Sequence, residues 1–226
     1  MASLDPQFDS FAEDYDKALN AGLSVSGEDK NYFAKGRMAH LAKAVKAEAI
    51  LDYGCGTGSA APFVKEYFPA AAIVGTDISQ KSLNVARRIH GGIATFELMD
   101  DIAKGPRFDL VFCNGVFHHI PIEAREGCLR YIWDRLKPGG HFAMFENNPW
   151  NPGTRWVMRR ISFDRDAITL SPGYARKMIK GAGFEITRMD FLFYFPRALG
   201  FLRFMESALV KMPLGAQYLA LGRKKA

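Results

Sequence analysis

The sequence predicts an α/β fold, a mostly parallel, doubly wound sheet with helices on both faces. Two observations carry this. From Ala49 onward, short apolar runs alternate with stretches of helical periodicity, and repeated strand–helix units build parallel sheets covered on both sides. A glycine-rich turn, Gly54-Cys55-Gly56-Thr57-Gly58, joins the first such run to the first such helix.

Before that region, Asp5 to Asn20 places Phe8, Phe11, Tyr15 and Leu19 on one helical face. A second helix is expected from Asp29 to Ala47. Strands are expected over Ala49–Tyr53, Ala72–Thr76, Thr95–Met99, Phe108–Cys113 and His141–Phe145. The helices between them fall at Ala60–Tyr67, Gln80–Ile89 and Glu123–Arg135. Lys137-Pro138-Gly139-Gly140 reads as a turn. Asn148 to Gly153 reads as a rigid irregular loop. Beyond it come a helix over Pro172–Ala182, a strand over Phe184–Phe195, a helix over Arg197–Met212 and a last strand over Ala216–Gly222. The expected organisation is an N-terminal helical lid over 1–48 and one domain over 49–226, with a helical insertion at about 196–214.

The chain has 226 residues, 48% apolar and 24% charged, with a net charge of +6. This suits a folded protein with a sizeable core. Basic charge attracts anions in general, but no long Lys/Arg run occurs, so nucleic acid is not the expected partner. Three cysteines (Cys55, Cys113 and Cys128) without a CxxC pair argue against a disulfide framework or a zinc site, and no metal is expected. Met1 to Asp9 is acidic and polar, and no run of about 18 apolar residues occurs, so a cytoplasmic location is expected.

Asp52-x-Gly54-x-Gly56-x-Gly58 follows a strand and precedes a helix. Such a turn admits a ligand close to the backbone and points N–H groups at it. A dinucleotide loop of the form Gly-x-Gly-x-x-Gly fits less well, because Gly58 comes one residue early and position 59 is serine. Asp77, ending the second strand, can accept hydrogen bonds from ribose hydroxyls. That supports adenosine binding without choosing between cofactors.

Taken together, the stretch Ala49–Phe145 resembles the class I S-adenosylmethionine-dependent methyltransferase family, in its small-molecule branch. The matching pieces are Leu51 to Gly58, Val74-Gly75-Thr76-Asp77, Met99-Asp100-Asp101, Phe108-Asp109-Leu110-Val111, Phe117-His118-His119-Ile120 and Leu136-Lys137-Pro138-Gly139-Gly140. The resemblance implies a Rossmann-like, seven-stranded sheet whose last strand is antiparallel. It implies S-adenosyl-L-methionine as cofactor and S-adenosyl-L-homocysteine as product. Asp52 with Gly54, Cys55 and Gly56 would hold the methionyl part. Asp77 would take the ribose hydroxyls, Ile78 would pack on adenine, and Asp100 or Asp101 would accept from its amino group. Asn114 and Gly115 would lie near the sulfonium. Arg37 resembles the residue that pairs with the cofactor carboxylate; a surface arginine is its other reading.

His118 and His119 follow the fourth strand, at the sheet edge where open α/β folds bind ligands. Either could act as a general base, and either could be structural. Asn147, Asn148, Trp150 and Tyr15 are candidate substrate contacts. The helix over Arg197–Met212 would put Leu199, Phe201, Leu202, Met205 and Met212 on one broad face, for packing on the sheet, a dimer partner, a substrate or a membrane surface. The expected activity is methylation of a small molecule, with oxygen favoured and a hydrophobic or lipid-linked acceptor allowed, by a monomer or homodimer. RNA methylation, hydride transfer and a non-catalytic cofactor-binding module are the rivals.

Overall fold

The computed structural model describes residues 21–105, 107–161 and 167–225. Tyr15 and the helix expected over Asp5–Asn20 lie outside the described residues, so of the segment expected to form a lid only residues 21–48 are described.

Seven strands form one sheet: β1 (Ala49–Tyr53), β2 (Ala72–Asp77), β3 (Thr95–Leu98), β4 (Phe108–Asn114), β5 (Leu136–Asn147), β6 (Glu185–Leu192) and β7 (Gln217–Arg223). Their order is β3-β2-β1-β4-β5-β7-β6. The first five run parallel, and β7 is antiparallel to both of its neighbours, β5 and β6. The expected α/β class, seven strands and antiparallel last strand are all present. Strand order reverses between β1 and β4, which pair directly. Their carboxyl ends therefore open the crevice where doubly wound sheets bind ligands.

The helices are α1 (Lys30–Ala42), α2 (Ala61–Tyr67), α3 (Gln80–His90), α4 (Arg125–Arg135), α5 (Pro152–Met158), α6 (Pro172–Gly181) and the single turn α7 (Glu206–Leu209). Local chemistry sets several starts. The side chains of Asp29, Ser79, Asn151 and Ser171 accept from backbone N–H groups in the first turn of α1, α3, α5 and α6, supplying partners for donors a helix leaves orphaned.

Successive strand residues point to opposite faces, and so the core divides in two. Ile50, Leu110, Phe112, Ala143 and Phe145 pack with Met38, Leu41, Val64 and Leu83 on one face. Leu51, Val111, Cys113, Phe142 and Met144 pack with Phe117, Leu129, Ile132 and Tyr218 on the other. Through Met38 and Leu41, α1 belongs to the core itself.

Three local expectations are corrected. Lys137–Gly140 is not a free turn: it is a bulge at the start of β5, where Phe108 pairs with Leu136 and Leu110 with His141. Lys224 N–H donates to Gly140 O and Gly139 N–H to Lys224 O, closing it. The segment after Asn151 is helical (α5), because Asn151 caps it and Pro152 presets its first turn. The continuous helix over Arg197–Met212 is broken into a 3₁₀ stretch, Arg197–Met205, with non-helical dihedrals at Leu199, followed by α7. Two side chains pull it back on itself. Glu206 accepts from the N–H groups of Tyr194 and Phe195, and the Tyr194 hydroxyl reaches the carbonyls of Leu209 and Met212. The single apolar face expected there does not form, and none of these residues is buried.

Candidate active site

The glycine turn is held from below. Gly54 and Cys55 donate their N–H groups to Thr76 O at 2.8 and 3.0 Å, and Gly58 donates to Cys55 O. Gly54, Gly56 and Gly58 all have positive φ, a conformation costly for other residues. Gly58 has a second reason to be glycine: a Cβ there would sit 2.8 Å from the Phe96 ring. Gly56 differs. Nothing lies within 4 Å of where its Cβ would be, so the backbone faces open space.

Asp77 ends β2 beside this turn. Its carboxylate accepts from Gly56 N–H and Ser79 N–H, both at 2.9 Å. Asp52, the penultimate residue of β1, is buried. Burial pushes its carboxyl up to about 8, the negative charge of Asp77 adds to this, and the Arg37 guanidinium opposes it. Arg37 is itself buried on α1 and donates to the Gln217 side chain at 2.9 Å; it is not the surface arginine of the alternative reading. Arg37, Asp52, Gly54, Cys55, Gly56 and Asn114 line one small cleft. Ile78 is 37% exposed beside Asp77. Asp100 and Asp101 are exposed just beyond β3, which pairs with β2.

Arg37 and Asn114 also line a second, larger cavity of about 430 Å³. Its walls are largely apolar, with Tyr32, Phe33, Trp156, Met158, Phe193 and Phe195 among them. Phe193 has φ 64, an outlier for a bulky residue and a mark of local strain. The strain is sustained by packing: its ring stacks against Phe33 and Tyr32, at centroid distances of 4.9 and 5.8 Å. Gly36 is small enough to admit it.

Both histidines line this cavity. His118 is 4% exposed and His119 half-buried. Sequence reasoning missed the partner of His118. Its Nδ1 lies 2.6 Å from Oε2 of Glu146, at the end of β5, and the other carboxylate oxygen accepts from Phe117 N–H at 2.8 Å. Glu146 is 1% exposed. Gly115 N–H donates to Phe145 O and Ile168 N–H to His118 O, so the histidine loop is fastened on two sides. The one signal in the sequence was an acid closing an otherwise apolar strand.

Among the candidate substrate contacts, Asn147 lines the cavity and its side chain accepts from Gln217. Asn148 is fully buried, with its amide donating to Pro213 O and Gly215 O, and so braces the loop. Trp150 is 52% exposed, and its backbone N–H closes an Asx turn on Asn148. Among the described residues, no cluster of three His, Cys, Asp or Glu is placed to hold a metal, and no helix is long and apolar enough to cross a membrane.

Comparison with known proteins places this geometry in context. Residues 51–142 match the family described as a methyltransferase domain. The chain is 35% identical over 116 residues to a trans-aconitate 2-methyltransferase of Methylobacterium nodulans, covering 50% of this chain and 43% of that protein. It is 32% identical over 154 residues to a ubiquinone biosynthesis O-methyltransferase of Alkalilimnicola ehrlichii, covering 60% and 59%. The chain thus spans about half the length of the curated relatives it matches. In fold it is similar to an S-adenosylmethionine-dependent methyltransferase of Thermotoga maritima, with TM-score 0.69, 16% identity and coverage of 96% and 98%. It is also similar to human N-acetylserotonin methyltransferase solved with S-adenosylmethionine, with TM-score 0.65, 17% identity and coverage of 98% and 60%.

Proposed function

We propose that this chain, whose residues 51–142 match a methyltransferase domain and whose fold is that of S-adenosylmethionine-dependent methyltransferases, is such an enzyme and methylates a hydroxyl oxygen of a small, apolar acceptor. The buried Glu146–His118 pair in the wall of an apolar cavity carries this reading.

The residues present fit the cofactor. The open space over Gly56 can take a ligand lying on the turn. The Asp52 carboxyl, protonated at neutral pH by burial, is suited to gain a cationic partner such as an amino acid's ammonium group. Arg37 would hold the carboxylate of the same ligand, Asp77 and Ile78 its nucleoside, and the adjoining loops at Asp100, Asp101, Asn114 and Gly115 its remaining edges. When bound, S-adenosylmethionine supplies a methyl group on a sulfonium, open to attack in line by a nucleophile.

The protein's part is positioning and proton transfer. Cavity walls of Tyr32, Phe33, Phe193 and Phe195 bind the apolar body of the acceptor and exclude water. Glu146 accepts from Nδ1–H of His118, and this sets the tautomer so that the other ring nitrogen can take the hydroxyl proton. A carboxylate held against one ring nitrogen stabilises the imidazolium that forms when the ring takes that proton.

One relative is by name an O-methyltransferase of ubiquinone biosynthesis, which supports oxygen as acceptor atom and an apolar acceptor body. A second reading, an acidic acceptor, draws on Lys30 and Arg37 in the same cavity and on the trans-aconitate relatives. Incubation with methyl-labelled S-adenosylmethionine and two panels, hydroxylated aromatics and polycarboxylic acids, separates them. Labelled ethers are expected. Label in esters alone would establish the second reading. Affinity for S-adenosylhomocysteine without transfer to either panel would favour a non-catalytic binding module.

A further inference from the structure

Two segments that contribute to the wall of the larger cavity also carry exposed apolar side chains, among them the two most exposed large apolar side chains of the described residues. Phe201 and Phe204 are 73% and 78% exposed, and Leu214, Trp150, Trp156 and Met212 are each over 40%. They come from two segments, 147–161 and 196–214, that are fastened together: Asn151 Nδ2 donates to Leu214 O at 2.7 Å, and Thr154 Oγ1 to Ala216 O at 2.8 Å. Trp156, Phe195 and Pro196, from or next to the same segments, line the cavity.

The same segments are basic. Residues 147–161 contain Arg155, Arg159 and Arg160 and no acid; residues 196–214 contain Arg197, Arg203 and Lys211 against Glu206 alone. Glu206 is turned inward onto backbone N–H groups. Arg203 is paired with Glu28 and Lys211 with Asp190. Arg155, Arg159, Arg160 and Arg197 are exposed and carry no ion pair among the described residues. Asp164 and Asp166 follow in sequence, outside the described residues.

We propose that these two segments form a docking surface for an anionic lipid bilayer, with the cavity mouth opening onto it. Exposed aromatic and aliphatic side chains on the same segments as arginines that form no ion pair among the described residues are the pattern of an interfacial anchor: acyl chains take the apolar groups and acidic headgroups take the cations. Two other occupants fit less well. A second copy related by a twofold axis would set like charges of one face against each other. RNA would meet the arginines and aromatic rings, but Leu199, Met205, Met212 and Leu214 would gain nothing from its bases.

Flotation of the intact protein, without cofactor, on phosphatidylcholine vesicles with and without phosphatidylglycerol tests this. We expect binding to the anionic vesicles, weakening as salt is raised, and at least about tenfold weaker binding to the neutral ones. The double variant Phe201→Ser/Phe204→Ser, neither residue lining the cavity, should bind the anionic vesicles about tenfold more weakly at an unchanged melting temperature. Arg155→Glu/Arg159→Glu/Arg160→Glu should not float. Absence of wild-type binding would overturn the proposal. So would equal binding by the Phe201/Phe204 variant, a wild-type dimer that this variant makes monomeric, or RNA binding that it abolishes. Because no methyl transfer is read, failure here is distinct from failure of the acceptor assignment.

Discussion

The Nδ1 atom of His118 and the Oε2 atom of Glu146 lie 2.6 Å apart, both side chains buried, although 28 residues separate them in the chain. A buried carboxylate against one ring nitrogen orients an imidazole and stabilises its protonated form. His118→Ala should therefore lower kcat by roughly 10²-fold or more while leaving S-adenosylhomocysteine affinity within about twofold. Glu146→Gln should lower kcat by a similar order. His119→Ala should cost far less. A larger loss from His119→Ala than from His118→Ala would move the base to His119.

Cofactor binding should release protons. Burial, with repulsion from Asp77, raises the Asp52 carboxyl to about 8. Its proton stabilises the unliganded fold fully below about pH 4, its usual range, and that contribution is lost as pH rises towards 8. A cationic ligand group reverses the preference. Calorimetry near pH 7 in buffers of different ionisation enthalpy should show up to about one proton released per S-adenosylmethionine bound. Asp52→Asn should abolish this release, and a buffer-independent heat in the wild type would remove Asp52 from the site.

Two glycines of the turn should fail differently. Gly58→Ala meets Phe96 at 2.8 Å in a left-handed conformation, and should cost about 1–3 kcal/mol or more of stability in chemical denaturation. Gly56→Ala meets nothing, and should cost only about 1–2 kcal/mol. Its methyl group would occupy the ligand's space, so cofactor affinity should fall more than about tenfold. Equal affinity in Gly56→Ala and wild type would place the cofactor elsewhere.

Asp190 is fully buried on β6, 2.8 Å from His40 Nε2 and 2.8 Å from Arg188 Nε, with Lys211 on its other oxygen. Burial opposes its charge, but His40, Lys211 and Arg188 prevail and hold the carboxyl well below its usual range. The stability this contributes is present above about pH 4 and is lost as pH falls below it. Asp190→Asn should cost about 1–3 kcal/mol at pH 7, because the hydrogen-bonded carboxylate shared by His40, Arg188 and Lys211 is lost. The gap between wild type and variant should narrow towards pH 2. An unchanged gap would mean that packing, not charge, is what the substitution removes.

Much of the frame was legible in the sequence because it is locally encoded. Strand–helix alternation from Ala49 and the glycines at 54, 56 and 58 all act within a few residues of themselves. Of the expected cofactor residues, Arg37, Asp52, Gly54, Cys55, Gly56 and Asn114 share one cleft. Periodicity misled over Arg197–Met212, where an apolar pattern met no surface to pack on and Glu206 and Tyr194 folded the segment back. At Asn148 and Trp150 a polar loop at the right sheet edge did not disclose that the Asn148 amide turns inward onto Pro213 O and Gly215 O while the Trp150 ring stays exposed.

The sequence alone determined the class of sheet, the turn between β1 and α2 and the acid ending β2, since each follows from backbone conformation and from spacing along one short segment. Only the tertiary structure decided that Glu146 faces His118, that Arg37 reaches Gln217 from 180 residues away, and that Phe201 and Phe204 stay exposed. Those outcomes depend on which elements pack together, and burial, rather than local propensity, settles which polar groups must pair.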